Sequence, residues 1–570
     1  MGEIKRRKVI QVAAVYAVVS WLLVQIVATI EQPLSLPTWF DTAVIVFLAV
    51  GFPVAIILGW AFDITTHGII STPPAATDSV ADTPIHSATD AGTSTLPNSV
   101  AVLPFENRSP NPDDAYFAAG IHEEILSHLA KLKQLNVIAR TSVMQYAGVA
   151  RHIAEIADEL NVGAVMEGSV RYAGDQVRVT AQLIDGATGT HLWTESYDGD
   201  LADIFTIQAD IAKRIAEALN LHLRSEDQKS LEERPTDDLQ AYECYLRARY
   251  EYSKFTPEGV QRSIHFLKQG LEFDADSELL NIALGNAYFN YGSAALGAEL
   301  HDEYLVKAEE CARSVLSINP DSADGNSLLG LILFDRFETF EGLRLMKQGV
   351  DAPDRNTDSL IWGVMCYSLC GQIKTAKPWV DELNRVDPFH GFSQWTVALY
   401  QLMDGEFEEA VTFLRRAHEL EPDAPIFRTA LALALIYLGR NSEAQSILKA
   451  GRKEEPRREV WHIIGRILDH ILCDERAAAS ELLDDDLKED AKTDMLYSWL
   501  LADCYALLGD ADSSIEWLGN AIRGGFLNYP FFYNMDPLIS DVRNKRDFDL
   551  LMTKAQAGWE SVERLTSEAN

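Results

Sequence analysis

The chain has 570 residues, 47% of them hydrophobic, enough to build about three to four packed domains. Its 85 acidic and 49 basic side chains leave a formal net charge of -36, which repels a phosphate backbone, so no nucleic-acid partner is expected for the chain as a whole.

Residues 1–8 carry the only dense basic run, Lys5-Arg6-Arg7-Lys8. Val9 to Ile30 follows without a charge and is long enough to cross about 30 Å of hydrocarbon. A second apolar run covers Thr42 to Phe62, with Trp39 and Trp60 near its ends, and the joint between the runs holds Pro33 and Pro37. Residues 9–63 therefore predict a two-span transmembrane hairpin in the lipid bilayer. A cleaved signal peptide also starts basic and then apolar, but this first run exceeds a usual h-region and a second run follows. No Lys or Arg occurs between Lys8 and Arg108, so the basic start places the amino terminus in the cytoplasm, and two passes return the bulk there. If only one run spans, the bulk lies on the outer side. Residues 64–98 are rich in Ser, Thr, Ala, Pro and Asp and predict a flexible linker.

From Ser99 the pattern alternates between strand and helix periods. Strands are expected at residues 100–105, 135–139, 164–171, 176–183 and 191–197, and helices at 121–132, 153–160 and 201–221. This describes an α/β domain with a mixed sheet over 99–230. The runs "SVAVLPFENRSPNPDDAYFAAGIHEEILSHL" and "VGAVMEGSVRYAGDQVRVTAQLIDGATGTHLWTESYDGDL" carry a family likeness. They resemble the TolB amino-terminal or FlgO-like domain of bacterial regulators and envelope proteins. In that family the domain follows a nucleotide cyclase or a winged-helix output module and often precedes tetratricopeptide repeats. The eight residues before the first span leave no room for such a module, so the resemblance implies an accessory signalling protein at the bacterial inner membrane.

Catalytic patterns are absent. His122-Glu123-Glu124 and His128 hold their histidines six apart, too far for the H-E-x-x-H zinc motif on one helical face, which leaves a solvated helix surface as the expectation. Phosphate-cradling glycine loops do not occur. Arg140-Thr141-Ser142 could receive an anion on backbone N–H groups, but helix capping alone explains Thr141 and Ser142 and is the expected reading. Asp113-Asp114 and Asp484-Asp485-Asp486 read as solvated loop or helix ends. Cys366 and Cys370 share a helical face without a third ligand nearby and read as buried small hydrophobes. Nothing calls for a cofactor or a metal.

From residue 237 to 527 the chain repeats. Gly371, Gly405 and Gly439 stand 34 apart, as do Ala376, Ala410 and Ala444, and Pro388, Pro422 and Pro456 keep the step with Pro320 two periods upstream. A helix ending at the glycine, a close-packed second helix at the alanine and a stop at the proline give a helix-turn-helix unit. It resembles the tetratricopeptide repeat, an all-α unit that stacks into a superhelix. First helices are expected from about Asp237, Glu278, Ala323, Thr357, Gly391, Pro425, Glu459 and Met495, with an insertion of about ten residues at 293–302.

On the family pattern the first helices line a concave groove. The unit from Gly391 places Phe392, Trp395, Leu399, Leu402 and Met403 there, and the next places Ile426, Thr429, Leu433, Ile436 and Tyr437. Such an apolar, Met-containing lining suits a peptide, and packing between units explains the same residues. Asn286 and Asn290 stand where some family members clamp a carboxylate, but the clamp lysines are missing. Residues 528–570 depart from the period and resemble a closing cap. Together these readings predict a non-enzymatic, membrane-tethered adaptor that binds proteins or peptides through the array. The alternative is a ligand-sensing accessory subunit of a separately encoded cyclase or regulator.

Overall fold

The computed structural model describes residues 62–65, 68–71 and 96–568, apart from 150, 175, 233, 235, 237, 255, 295–297, 353–354, 450 and 452–458. Residues 1–90 and 91–570 form two separate bodies. In the first, β1 (Phe62–Thr65) pairs antiparallel with β2 (Gly68–Ser71). Residues 9–61 of the expected hairpin lie outside the described residues, and its last two, Phe62 and Asp63, belong to β1. Among the described residues no helix is long and apolar enough to cross a membrane. The expected linker carries strand at both ends, in β1–β2 and at the start of β3.

The second body begins with a mixed sheet. Strand β3 (Leu96–Val102) lies parallel to both β5 (Asn136–Val137) and β6 (Val162–Ala173). Short β4 (Glu106–Asn107) also pairs with β6. The antiparallel run β6, β7 (Gln176–Asp185) and β8 (His191–Asp200) completes the order β5-β3-β6-β7-β8. Helices α1 (Ala115–Ala130) and α4 (Ile204–Ala218) bury Ile121, Ile125, Ile211 and Ile215 in the same core as Val100, Met166 and Val179. On the other face, α2 (Arg140–Val143) and α3 (Ile153–Glu159) enclose Ala101, Val143, Ile156 and Val165.

A short helix α5 (Ser225–Glu232) leads to the repeats. Their helices pair as α6 (Leu239–Tyr252) with α7 (Pro257–Phe273), α8 (Glu278–Ala294) with α9 (Ala298–Ile318), and α10 (Ala323–Asp335) with α11 (Thr339–Asp351). Next come α12 (Thr357–Leu369) with α13 (Ile373–Val386), α14 (Gly391–Asp404) with α15 (Phe407–Leu420), and α16 (Pro425–Tyr437) with α17 (Asn441–Leu448). The last pairs are α18 (Val460–Leu472) with α19 (Arg476–Leu482) and, after α20 (Asp485–Lys492), α21 (Met495–Leu508) with α22 (Ala511–Arg523). First helices start where a side chain satisfies the free N–H groups of the first turn, as Asp238, Ser322, Asn356 and Asp494 do. They end where Gly371, Gly405, Gly439 and Gly509 take positive φ, which costs a residue without Cβ little. The insertion is absorbed by a longer pair, α9 running to 21 residues.

Helix α1 is not a solvated surface. It lies between the sheet and α6, so close that a Cβ on Gly120 would fall 2.4 Å from Leu246 Cδ2. His122, Glu124 and His128 are consequently buried. His122 Nε2 lies 2.8 Å from Val102 O and His128 Nδ1 lies 2.9 Å from Glu124 O, so both rings are satisfied by main chain. Burial lowers the His122 pKa to about 4, and burial beside Glu123 raises that of Glu124 to about 7. Among the described residues no cluster of three or more His, Cys, Asp or Glu could hold a metal ion.

Candidate functional site

The inner face of the array is built by the first helix of each pair. Aromatic rings follow one another along it: Phe289 to Trp362 at 5.8 Å, Trp362 to Phe392 at 5.8 Å, Phe392 to Trp395 at 5.1 Å, Trp395 to Trp461 at 6.1 Å and Trp461 to Tyr497 at 6.3 Å between centroids. Edge-to-face and stacked contacts of this kind favour a fixed ring order. The residues expected to line a groove divide along this row; Leu402 and Ile436 are buried and Ile426 is half-buried.

Asn286, Asn290 and Phe392 remain half-buried, together with Trp362 and Tyr252. Asn290 Nδ2 donates to Tyr252 Oη at 2.6 Å and to Asn286 O at 2.9 Å. Arg249 lies over the Tyr252 ring and pairs with Glu123 of α1, whose other oxygen is 4.0 Å from Arg140 Nε. Exposed Asp358 completes this end, facing the positive charge of Arg249. The strip thus presents amide and hydroxyl groups beside two aromatic rings.

Trp395, Leu399, Met403, Thr429, Leu433 and Tyr437 are buried by the chain itself. Thr429 Oγ1 donates to Trp461 O at 2.9 Å, joining two repeats. Met403 and Tyr437 meet the segment after α22. There Asn528 Nδ2 donates to Met403 O at 3.0 Å and Ser368 O at 3.2 Å, and Phe531 stacks on Tyr437. Helix α23 (Arg546–Glu568) then returns to the fourth repeat, where Trp559 Nε1 donates to Gly371 O at 3.3 Å. The closing segment therefore packs beneath the glycine turns as well as against α22.

A second polar site joins the α/β domain to the array. Asp387, wholly buried, accepts from Thr141 Oγ1 at 2.5 Å, Ser142 Oγ at 2.7 Å and Ser393 Oγ at 2.6 Å, and lies 3.1 Å from His390 Nδ1. Ala139 N donates to Val386 O at 2.7 Å beside it. Thr141 and Ser142 thus do hold an anion, the chain's own carboxylate, through their hydroxyls rather than through main-chain N–H groups. Neither residue caps a helix, because Ala139 occupies the N-cap of α2. Burial pushes the Asp387 pKa upward, but His390, Ser393 and Thr141 hold it below the usual carboxylate range. For His390 burial pulls downward and Asp387 prevails, raising it.

Residues 401–467 match the family model of the tetratricopeptide repeat. Residues 96–214 match that of the second domain of HilA/YgeH-like transcriptional regulators, where the sequence resemblance named a TolB amino-terminal or FlgO-like domain. The chain is 35% identical over 240 residues to a protein named putative adenylate cyclase 3 of Rhizobium meliloti, covering 41% of this chain and 40% of the relative. It is 21% identical over 362 residues to the transcriptional regulator HilA of Salmonella typhimurium, 62% of each. Among solved structures, human IFIT1 with a capped RNA aligns at 15% identity and a TM-score of 0.37, over 56% of this chain and 77% of that one. The chain spans less than two thirds of the length of these curated relatives. The helix pairs spanning residues 401–467 are similar to tetratricopeptide repeats, and the first helices from Ala323, Thr357, Gly391 and Pro425 keep their 34-residue step.

Proposed function

We propose that the protein is a non-enzymatic adaptor whose repeat array binds an extended segment of a protein partner along the strip Tyr252, Asn286, Asn290, Trp362 and Phe392. The observation that carries this reading is that these five side chains stay accessible, whereas Trp395, Leu399, Met403, Thr429, Leu433 and Tyr437 are buried by the chain itself. Paired amides and a hydroxyl suit a peptide main chain, and the two rings suit an apolar side chain between them. Partial likeness to a cyclase-named protein and to HilA supports a place in signalling. On the same reading the α/β domain is a TolB-like accessory module, and residues 9–63 tether the protein to the bacterial inner membrane with its bulk in the cytoplasm.

The test is capture of membrane-extracted proteins by the full chain, beside an Asn290→Ala/Phe392→Ala double variant. A partner should be recovered by the wild type and lost about tenfold by the variant, equivalent to roughly 1.4 kcal/mol. Equal recovery by a correctly folded variant would move the binding surface elsewhere. Reporters active on only one side of a membrane, fused after Asn98 and after Asn570, test the tether and its orientation.

A further inference from the structure

The closing segment is fastened to the array by two acids. Asp503 stands on α21 and Asp536 follows a π-helical turn at Phe531–Met535, and their exposures are 1% and 0%. Asp503 Oδ2 accepts from Tyr437 Oη at 2.6 Å, and Asp536 Oδ1 accepts from Leu538 N at 2.9 Å. The remaining oxygens, Asp503 Oδ1 and Asp536 Oδ2, have no partner in good hydrogen-bond geometry; the Trp499 indole N–H, itself unpaired, approaches Asp536, and the two carboxyl groups are within hydrogen-bonding reach of each other. Two carboxylates cannot both stay ionised at that range away from water, so one must carry the proton that joins them.

The titratable and charged groups around them do not supply a substitute. Tyr437 faces the pair from α16, Cys504 neighbours Asp503 on α21, and Arg543 comes from the closing segment. Arg543 spends its guanidinium on the main-chain carbonyls of Asp536 and Phe532. Burial raises the pKa of both acids, Asp536 to about 6 and Asp503 well above the usual carboxylate range.

We propose that Asp503 and Asp536 form a proton-operated latch: while they share a proton the segment from Gly524 onward is clamped to the turn end of the array, and losing that proton frees it. The sign follows from linkage. The docked acids bind protons more tightly than the released ones, so docking is strongest below an ordinary carboxylate pKa of about 3.9 and weakens as pH rises through the docked values, from about 6 upward. Release removes the Asn528 donor from Ser368 O and Met403 O and the Phe531 ring from Tyr437, uncovering a new aromatic edge.

Hydrogen exchange of the full chain at pH 6 and pH 9, corrected for the intrinsic rate, tests the latch. Segments within 526–545 should lose about tenfold or more of their protection at pH 9 in the wild type, as one proton per pH unit requires. In Asp536→Asn the amide can donate to Asp503 Oδ1 at any pH, so protection should persist at pH 9. Asp503→Asn, which can donate to Asp536 Oδ2 while keeping the Tyr437 bond, serves as a second variant with the same expectation. Equal wild-type protection at both pH values would overturn the latch. So would matching losses in wild type and both Asn variants, or a loss that extends through residues 391–404.

Discussion

Phe392 and Trp395 sit on adjacent turns of α14 with stacked rings, yet one is half-buried and the other 4% exposed. The repeat pattern supplies both through the same rule. What separates them is what the superhelix brings opposite: Trp461 closes over Trp395, whereas Phe392 meets Trp362, and both of those rings stay half-buried. One helix therefore presents an accessible ring in its first turn and a packed one a turn later. Trp395→Ala should lower the unfolding free energy by about 3–5 kcal/mol, because it empties a core site that neighbouring helices cannot fill. Phe392→Ala should cost about 1 kcal/mol, in line with half the burial. Urea denaturation of both variants measures the contrast, and equal losses would erase the division of the inner face.

The residue before each ladder proline makes a second comparison. Asn319 and Glu421 are exposed there, whereas Asp387 is buried under Thr141 and Ser142. Asp387→Ala should cost about 2–3 kcal/mol by leaving its donors unpaired, and should loosen the α/β domain from the array. Glu421→Ala should stay within about 0.5 kcal/mol. Limited proteolysis between the two regions, alongside urea titration, distinguishes detachment from general destabilisation.

The same site predicts a pH optimum for the junction. Asp387 has a depressed folded pKa, so its contribution is present above the unfolded value near 3.9 and is lost as pH falls through the folded one. His390 has a raised folded pKa, so its contribution is complete below about 6.5 and is lost as pH rises through the folded value. The junction should be strongest between about pH 4 and pH 6.5. Thermal midpoints across pH, with His390→Gln as control, should show the alkaline loss in the wild type and not in the variant.

The array was legible because its signals are local. Helices begin at the expected Glu278, Ala323, Thr357, Gly391, Pro425 and Met495, the middle four 34 residues apart, and Val460 comes one residue after the expected Glu459, which is its N-cap. Burial of α1 was not legible, since the contact between Gly120 and Leu246 joins helices over a hundred residues apart. A glycine inside an otherwise regular helix was its one sequence trace. Trp395 and Tyr437 satisfy a groove pattern and a core pattern alike, and only the closing segment and Trp461 decide between them. The burial of Asp387 was not legible, because Thr141 and Ser142, two of its three hydroxyl partners, come from another domain.

The ladder itself offers the finest contrast. Cys473 stands in the glycine register, and the left-handed turn has moved to Asp474, at φ 59°. Aspartate tolerates that region better than most residues but still strains where glycine does not. Its carboxylate reaches Arg476 at 3.5 Å in open solvent, an ion pair that contributes little. Asp474→Gly should therefore stabilise the array by about 0.5 kcal/mol, relief of strain offsetting the added freedom of the unfolded chain. Gly439→Ala should destabilise it by about 1 kcal/mol, since φ is 71° and no neighbour lies within 4 Å of the new methyl to alter the balance. Gly405→Ala carries the same backbone strain and also brings its Cβ to 3.1 Å from Met535 Sδ, so it should cost more and loosen the closing segment. If Gly405→Ala and Gly439→Ala proved equal in urea titration, the segment would not rest on the ladder in solution.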